Sequence, residues 1–272
     1  VKNQTPHCKF GEQGVCCRIC SMGPCRITPK APRGICGCDV HGIVGRNFLR
    51  FTAGGAATHS DHGREICITL GHAKEGGDYQ VKDPEKLIRI AKEWGVETEG
   101  KDIYDLAHEM SDLAQEGYGK IRGVSRWLKR APQHTQDLWH AAGIEPRAID
   151  REVSCALHMT HMGNTSKPEA LIRQALRNGL SDGWGGSMCG TEFSDVLFGT
   201  PKPIDTEANL GVMNAENVNI VVHGHDPSLS EMICEYADSK EMIDYAKSMG
   251  AKGITVSGVC CTSNEVAMRR GI

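Results

Sequence analysis

In the stretch IYDLAHEMSDLAQEG the apolar positions Ile103, Leu106, Ala107, Met110, Leu113 and Ala114 share one face of a helix with a period of roughly 3.6 residues. Upstream, Asp83-Pro84-Glu85 combines a capping acid, a proline suited to the first helical position and an early acid. Gly95 closes the helix they open. Ser166 with Pro168-Glu169 starts another helix through LIRQALRN, ended by Gly179. The next segment, SDGWGGSMCG, is glycine-rich enough to predict a turn or tight loop. Helix is expected to dominate from about Gly45 to about Phe198. Ahead of Gly45, closely spaced Gly, Pro and Cys predict irregular chain.

Near Asp205 the period changes. VNIVVHGHDP is an apolar run ending in a His-rich turn, and Ser228 to Glu231 forms a capping box before a helix. KEMIDYAKSMG is a further helix. GITVSGVCC is a second buried strand, followed by a capping box from Thr262 to Glu265. Strand, helix, helix, strand, helix is the beginning of a Rossmann-like, doubly wound parallel sheet. The predicted fold is therefore α plus α/β. A mainly helical domain spans residues 1–204 and carries a cysteine loop at about 8–38, and residues 205–272 begin the sheet domain. Ligands of such sheets sit beyond the carboxyl ends of strands, where His223 and His225, then Cys260 and Cys261, fall. Two strands alone leave open edges, so the 272 residues are expected to belong to a longer polypeptide. The start at Val1 points to upstream trimming.

Charge and composition narrow the possibilities. A net charge of −3 lacks the basic excess of a nucleic-acid footprint. No apolar run approaches the ~18 residues a membrane span needs. The first residues, VKNQTPHCKF, show no secretory signal, so a cytoplasmic location is expected. In that reducing setting the thirteen cysteines are better used as thiolate ligands than as disulfides.

Six of them, Cys8, Cys16, Cys17, Cys20, Cys25 and Cys36, lie within 29 positions. Cys17-x2-Cys20 supplies two thiolates to one centre, and Cys25 and Cys36 would complete a [4Fe–4S] site. Zinc also takes four thiolates, and Cys38 competes with Cys36; spacing alone leaves both alternatives open. Cys8 and Cys16 remain. Two thiolates cannot satisfy a four-iron cluster, but two copies of the pair can, brought together across a two-fold axis. Spare thiols or a small disulfide would account for the pair as well.

The run CKFGEQGVCCRICSMGPCRITPKAPRGICG closely resembles the N-terminal cluster region of the nickel-containing, anaerobic-type carbon monoxide dehydrogenases. AATHSDHGR, SDGWGGS, TEFSDVLFGTPKP, NIVVHGHDPSLSEMI and GVCCTSNEVAMRRG are similar to the same family, so the resemblance covers the whole sequence. Hybrid-cluster proteins are more distant, with a different cysteine spacing. The resemblance implies that Cys17, Cys20, Cys25 and Cys36 hold a [4Fe–4S] cluster within the subunit. It implies that Cys8 and Cys16 are contributed to a [4Fe–4S] cluster shared between subunits, and that Cys38 is not a ligand. It further implies a Ni–Fe–S active-site cluster held in part by His225 and Cys261, with His223 and Cys260 as close alternatives and other ligands beyond residue 272. His59 is implied as general acid/base, with His62 continuing a proton relay and His72 less clearly placed.

The implied reaction is reversible oxidation of CO with water to CO2, two protons and two electrons, in a homodimer of an anaerobe. Electrons would leave through the two [4Fe–4S] clusters to ferredoxin or a similar carrier. An acetyl-CoA synthase subunit is a possible partner. Asp182 and Asp195 can orient a histidine or merely cap a turn or helix. Cys67, Cys155, Cys189 and Cys234 are expected as core thiols, and Trp94, Trp127, Trp139 and Trp184 as core rings. An electron-transfer or scaffolding fragment without nickel, and a zinc-stabilised binding module, are the competing expectations. The strand-end His and Cys pairs speak against both.

Overall fold

The computed structural model describes residues 3, 5–202, 205, 211–224 and 227–260. It is mostly helical, with two small sheets. A single turn, α1 (Lys9–Glu12), precedes β1 (Cys16–Cys17) and β2 (Cys25–Arg26), which pair antiparallel with Cys17 opposite Cys25. The long helix α2 (Val40–Gly71) follows, its N-terminus capped by the Asp39 carboxylate, which accepts from the Gly42 N–H. Helix thus begins about five residues earlier than glycine spacing suggested. At 32 residues α2 is about 48 Å long.

Around α2 pack α3 (Pro84–Trp94), α4 (Ile103–Gly119), a 3-10 turn at Arg126–Arg130, α5 (Gln133–Ala142), α6 (Ile149–Thr160) and α7 (Pro168–Ser181). A π-helical segment, Asp182–Ser187, runs directly into α8 (Met188–Phe198). The α3 signals act as the sequence implies: Asp83 accepts from Lys86 N–H, and Gly95 closes the helix in the left-handed region at φ 79°. On α4, Leu106, Ala107, Met110 and Ala114 are buried, and Ile103 and Leu113 pack against their cluster.

The core fills the space between α2, α3, α4 and α8. Trp94 and Trp127 meet edge to face with centroids 4.9 Å apart, and Phe193 closes the triad. Lys86 of α3 is paired with Asp195 and, at 3.1 Å, with Glu192 of α8; Arg130 reaches Glu192 at 2.7 Å. Trp139 and Trp184 are only half-buried, meeting edge to face with centroids 5.8 Å apart. Cys67, Cys189 and Cys234 are buried as expected, whereas Cys155 is half-buried.

Beyond the helices, β3 (Val218–His223), α9 (Pro227–Asp238), α10 (Lys240–Ser248) and β4 (Ile254–Val259) form one right-sized crossover unit. The strands are parallel, in register from Val218 opposite Ile254 to His223 opposite Val259. Val222, Val256 and Cys234 form a small separate core beneath them. No described helix is long and apolar enough to cross a membrane.

Four local expectations are corrected. Gly179 does not end α7, and SDGWGGSMCG is helix rather than loop. Two of its glycines serve close approach: a Cβ on Gly186 would lie 2.8 Å from the carbonyl oxygen of His59, and one on Gly190 3.2 Å from the His62 ring. The cap of α7 is Lys167, which makes no side-chain cap, rather than Ser166. Ser228 lies inside the first turn of α9, because Pro227 already opens that helix, so it does not cap it. The capping box at Thr262–Glu265 lies outside the described residues, as do His225 and Cys261.

Candidate metal centres

Residues 8–38 close around a cavity of ≈ 270 Å³ lined by Cys17, Cys20, Cys25, Cys36 and Cys38. The β1–β2 pairing sets Cys17 and Cys25 side by side. Close approaches at Gly23 and Gly34 let the chain wrap tightly, since a Cβ there would stand 3.1 Å from the Cys17 carbonyl and 3.3 Å from Cys25 Cβ. The cavity is far larger than one ion, whose four sulfurs would sit about 2.3 Å from a single point. It suits a group of several atoms. The fifth thiol, Cys38, is fully buried, and burial pushes it up. Burial would raise Cys36 too, but the Arg46 guanidinium, donating to its Sγ at 3.3 Å, brings it below the ordinary thiol range. That contrast favours Cys36 over Cys38 as the fourth thiolate.

Arg46 also tests whether the site fits a charged cluster. Its side chain is 1% exposed. Nε donates to the Thr165 carbonyl at 2.8 Å and Nη1 to Cys36, while Nη2 has no partner. Among the described residues no carboxylate pairs with it. The groups that face it are the thiols of Cys36, Cys38 and Cys17. A buried cation needs a compensating charge. Neutral thiols do not supply one; a thiolate-ligated iron–sulfur cluster does.

Cys8 and Cys16 lie apart from this cavity, in an open depression of ≈ 690 Å³ they share with Arg18, Arg26, Asn47 and Arg50. No disulfide joins them. The N–H groups of Gly11 and Phe10, with Arg26 and Arg18 beyond, hold the Cys8 thiol below its ordinary range. From α2, Asn47 donates to the carbonyls of Gly14 at 3.0 Å and Cys16 at 3.1 Å, fixing the loop to the helix. Two thiols sharing an open face match a half-site.

Further along α2, His59 donates from Nδ1 to the Asp182 carboxylate at 2.6 Å. The carboxylate raises the imidazole to about 9 against the opposing effect of burial. Asp182 reaches this point because α7 continues into the π-helical segment, a distortion often found at functional sites. On its other nitrogen His59 lies 3.8 Å from Cys260 Sγ. Cys260 follows the carboxyl end of β4 with φ 69°, the one described non-glycine residue in the left-handed region. His223 ends the neighbouring strand and is exposed.

His62 stands one turn on from His59, half-buried, its ring edge close to Gly190 of α8. His72 caps the far end of α2 and is exposed. Asp195 is committed to Lys86. Cys67 and Cys189 touch at 3.4 Å, and that contact together with burial pushes Cys67 well up, as suits inert core thiols. Arg46 is the residue that the cysteine spacing does not announce. An arginine on the buried face of α2 among glycines is its only trace in the sequence.

A cysteine loop enclosing a cluster-sized cavity, set on a helical body whose histidine faces a strand-end cysteine, fits the iron–sulfur class of proteins. Residues 15–272 match the Prismane/CO dehydrogenase family, and the chain belongs to it. Carbon monoxide dehydrogenase 1 of Methanosarcina mazei is 46% identical over 99% of this chain, and carbon monoxide dehydrogenase 1 of Carboxydothermus hydrogenoformans is 46% identical over 98%. The solved carbon monoxide dehydrogenase of Thermococcus sp. AM4 superposes with a TM-score of 0.80 at 48% identity, covering 100% of this chain and 44% of that one. The chain spans 44% and 43% of the lengths of the two curated relatives.

Proposed function

We propose that this chain serves as part of a carbon monoxide dehydrogenase, which oxidises CO with water to CO2, two protons and two electrons, reversibly. The observation that carries the proposal is His59, anchored by Asp182 and facing Cys260 at the end of β4. A scaffold or zinc module has no use for an oriented histidine at a strand-end thiol. Cys17, Cys20, Cys25 and Cys36 would hold the intrasubunit [4Fe–4S] cluster, and Cys8 and Cys16 half of one shared across a homodimer. His225 and Cys261, or their neighbours His223 and Cys260, would hold part of the nickel–iron–sulfur group, which when bound supplies the redox chemistry of CO. His59 takes up or delivers the proton, and His62 passes it along α2. Electrons leave to ferredoxin or a similar carrier. An acetyl-CoA synthase subunit is a further partner, and the setting is cytoplasmic.

The parallel β3–β4 pair with its helical crossover supports a Rossmann-like domain over 205–272, following a helical domain over 1–204. The test is iron, nickel, zinc and sulfide per chain in the anaerobically purified full-length protein, with CO-dependent reduction of a viologen dye. Iron clearly above about six per chain with about one nickel and dye reduction are expected. Iron without nickel or turnover means an electron-transfer protein, and zinc in place of iron overturns the proposal.

Two variants probe the roles directly. Asp182→Asn is expected to lower CO-dependent dye reduction roughly 10²-fold with metal content unchanged, because His59 loses the carboxylate that orients and charges it. Cys8→Ser is expected to remove about two irons per chain and to shift sedimentation toward monomer.

A further inference from the structure

We infer that Arg46 sets the reduction potential of the intrasubunit cluster, holding it higher than four thiolates alone would. The inference rests on the cluster assignment to Cys17, Cys20, Cys25 and Cys36. Arg46 is almost completely buried in the interior of α2 and lines the cysteine cavity. Its guanidinium is fixed rather than mobile, because Nε is tied to the Thr165 carbonyl at 2.8 Å and Nη1 to Cys36 Sγ at 3.3 Å. Nη2 is buried without a partner. Thr160 also lines the cavity, but its hydroxyl donates to the carbonyls of Ala156 and Leu157 and accepts from Arg50 at 2.6 Å. Among the described residues Arg46 is thus the one cation that lines the cavity.

One-electron reduction of the cluster makes and breaks no bond and adds one negative charge to the cavity. A fixed cation with a spare N–H stabilises that added charge more than it stabilises the oxidised form, and an N–H···S hydrogen bond acts in the same direction. Burial amplifies both effects, because little water is present to screen them. Arg46 therefore acts through the cluster as a positioning and tuning residue. Its consequence is electron flow: a cluster held too low would not accept electrons from the active site.

The experiment is an EPR-monitored redox titration of the anaerobically purified full-length protein, with iron and sulfide measured on the same samples. Arg46→Met keeps bulk and loses charge; Arg46→Gln keeps an N–H donor; Arg46→Lys keeps the charge. Arg46→Met is expected to reduce the reduction equilibrium constant of the intrasubunit cluster at least tenfold, about 59 mV for one electron. Gln should shift it less and Lys least, with the signal of the shared cluster unmoved. If Met fails to hold the cluster, the order Gln below Lys below wild type decides instead. Iron retained with the potential unmoved in all three variants overturns the role of Arg46 alone. Wild-type protein with no iron bound by these cysteines overturns the cluster assignment itself.

Discussion

Exchange of Cys17 for serine is expected to cost the protein about four irons per chain and the order of its first forty residues, while the helical body stays folded. No residue from 5 to 37 is buried; Cys38 is the first. The loop therefore has no apolar core of its own to oppose the conformational entropy of ordering, which is about 1–2 kcal/mol per residue. What holds it is the short β1–β2 pair, the Asn47 hydrogen bonds from α2 and, in the proposed assignment, coordination of the cluster. Where coordination is the chief source of order, binding free energy is folding free energy. Limited proteolysis should cut Cys17→Ser between residues 8 and 38 and spare the rest, and Cys20→Ser and Cys25→Ser should behave alike. Cys38→Ser is the contrast: its thiol is buried and uncharged, so iron should stay at the wild-type level. Iron retained in Cys17→Ser and lost in Cys38→Ser would mean that the ligand set has been misassigned.

How far these properties can be seen in the sequence depends on whether their cause is local. Asp83, Pro84 and Gly95 act within their own turns, so the bounds of α3 follow from three letters. The Cys17-x2-Cys20 unit and the apolar runs at 218 and 254 are legible for the same reason. The segment from Asp182 to Ser187 is not. Its glycines look like a loop, but Gly186 is small because α2 passes against it, and nothing near it in sequence carries that information. Asp182 was readable as a residue able to orient a histidine, but not its pairing with His59: it is 123 positions away, and its aim depends on a π-helical turn that no apolar period reveals. Arg46 escaped because a charged residue on a helix reads as exposed until the thiols that face it are in place. The helical face of α4 shows the reverse case, where one period carried Leu106, Ala107, Met110 and Ala114 into the core, though not the buried Ser111 and Tyr118.

Gly63→Ala tests that tertiary dependence. A Cβ at residue 63 would lie 2.6 Å from the carbonyl oxygen of Gly186 and collide with the Tyr118 hydroxyl. Neither neighbour can retreat freely. Tyr118 is 4% exposed and packed within the main core, and Gly186 is itself pressed against the His59 carbonyl. One methyl group in such a place is expected to cost about 3 kcal/mol by overpacking. Gly54 is on the same helix, with nothing within 4 Å of the position a Cβ would take. There alanine should stabilise, by up to about 1 kcal/mol, through helix propensity alone. The two substitutions are chemically identical and opposite in predicted sign, so urea or thermal midpoints measured side by side remove any general effect of adding a methyl group. Gly63→Ala should also reach the chemistry. Relief of the clash moves the π-helical segment, which carries Asp182 away from His59, so CO-dependent turnover should fall further than stability explains. A destabilised Gly63→Ala protein with full turnover would show that the segment can shift without disturbing the His59–Asp182 pair.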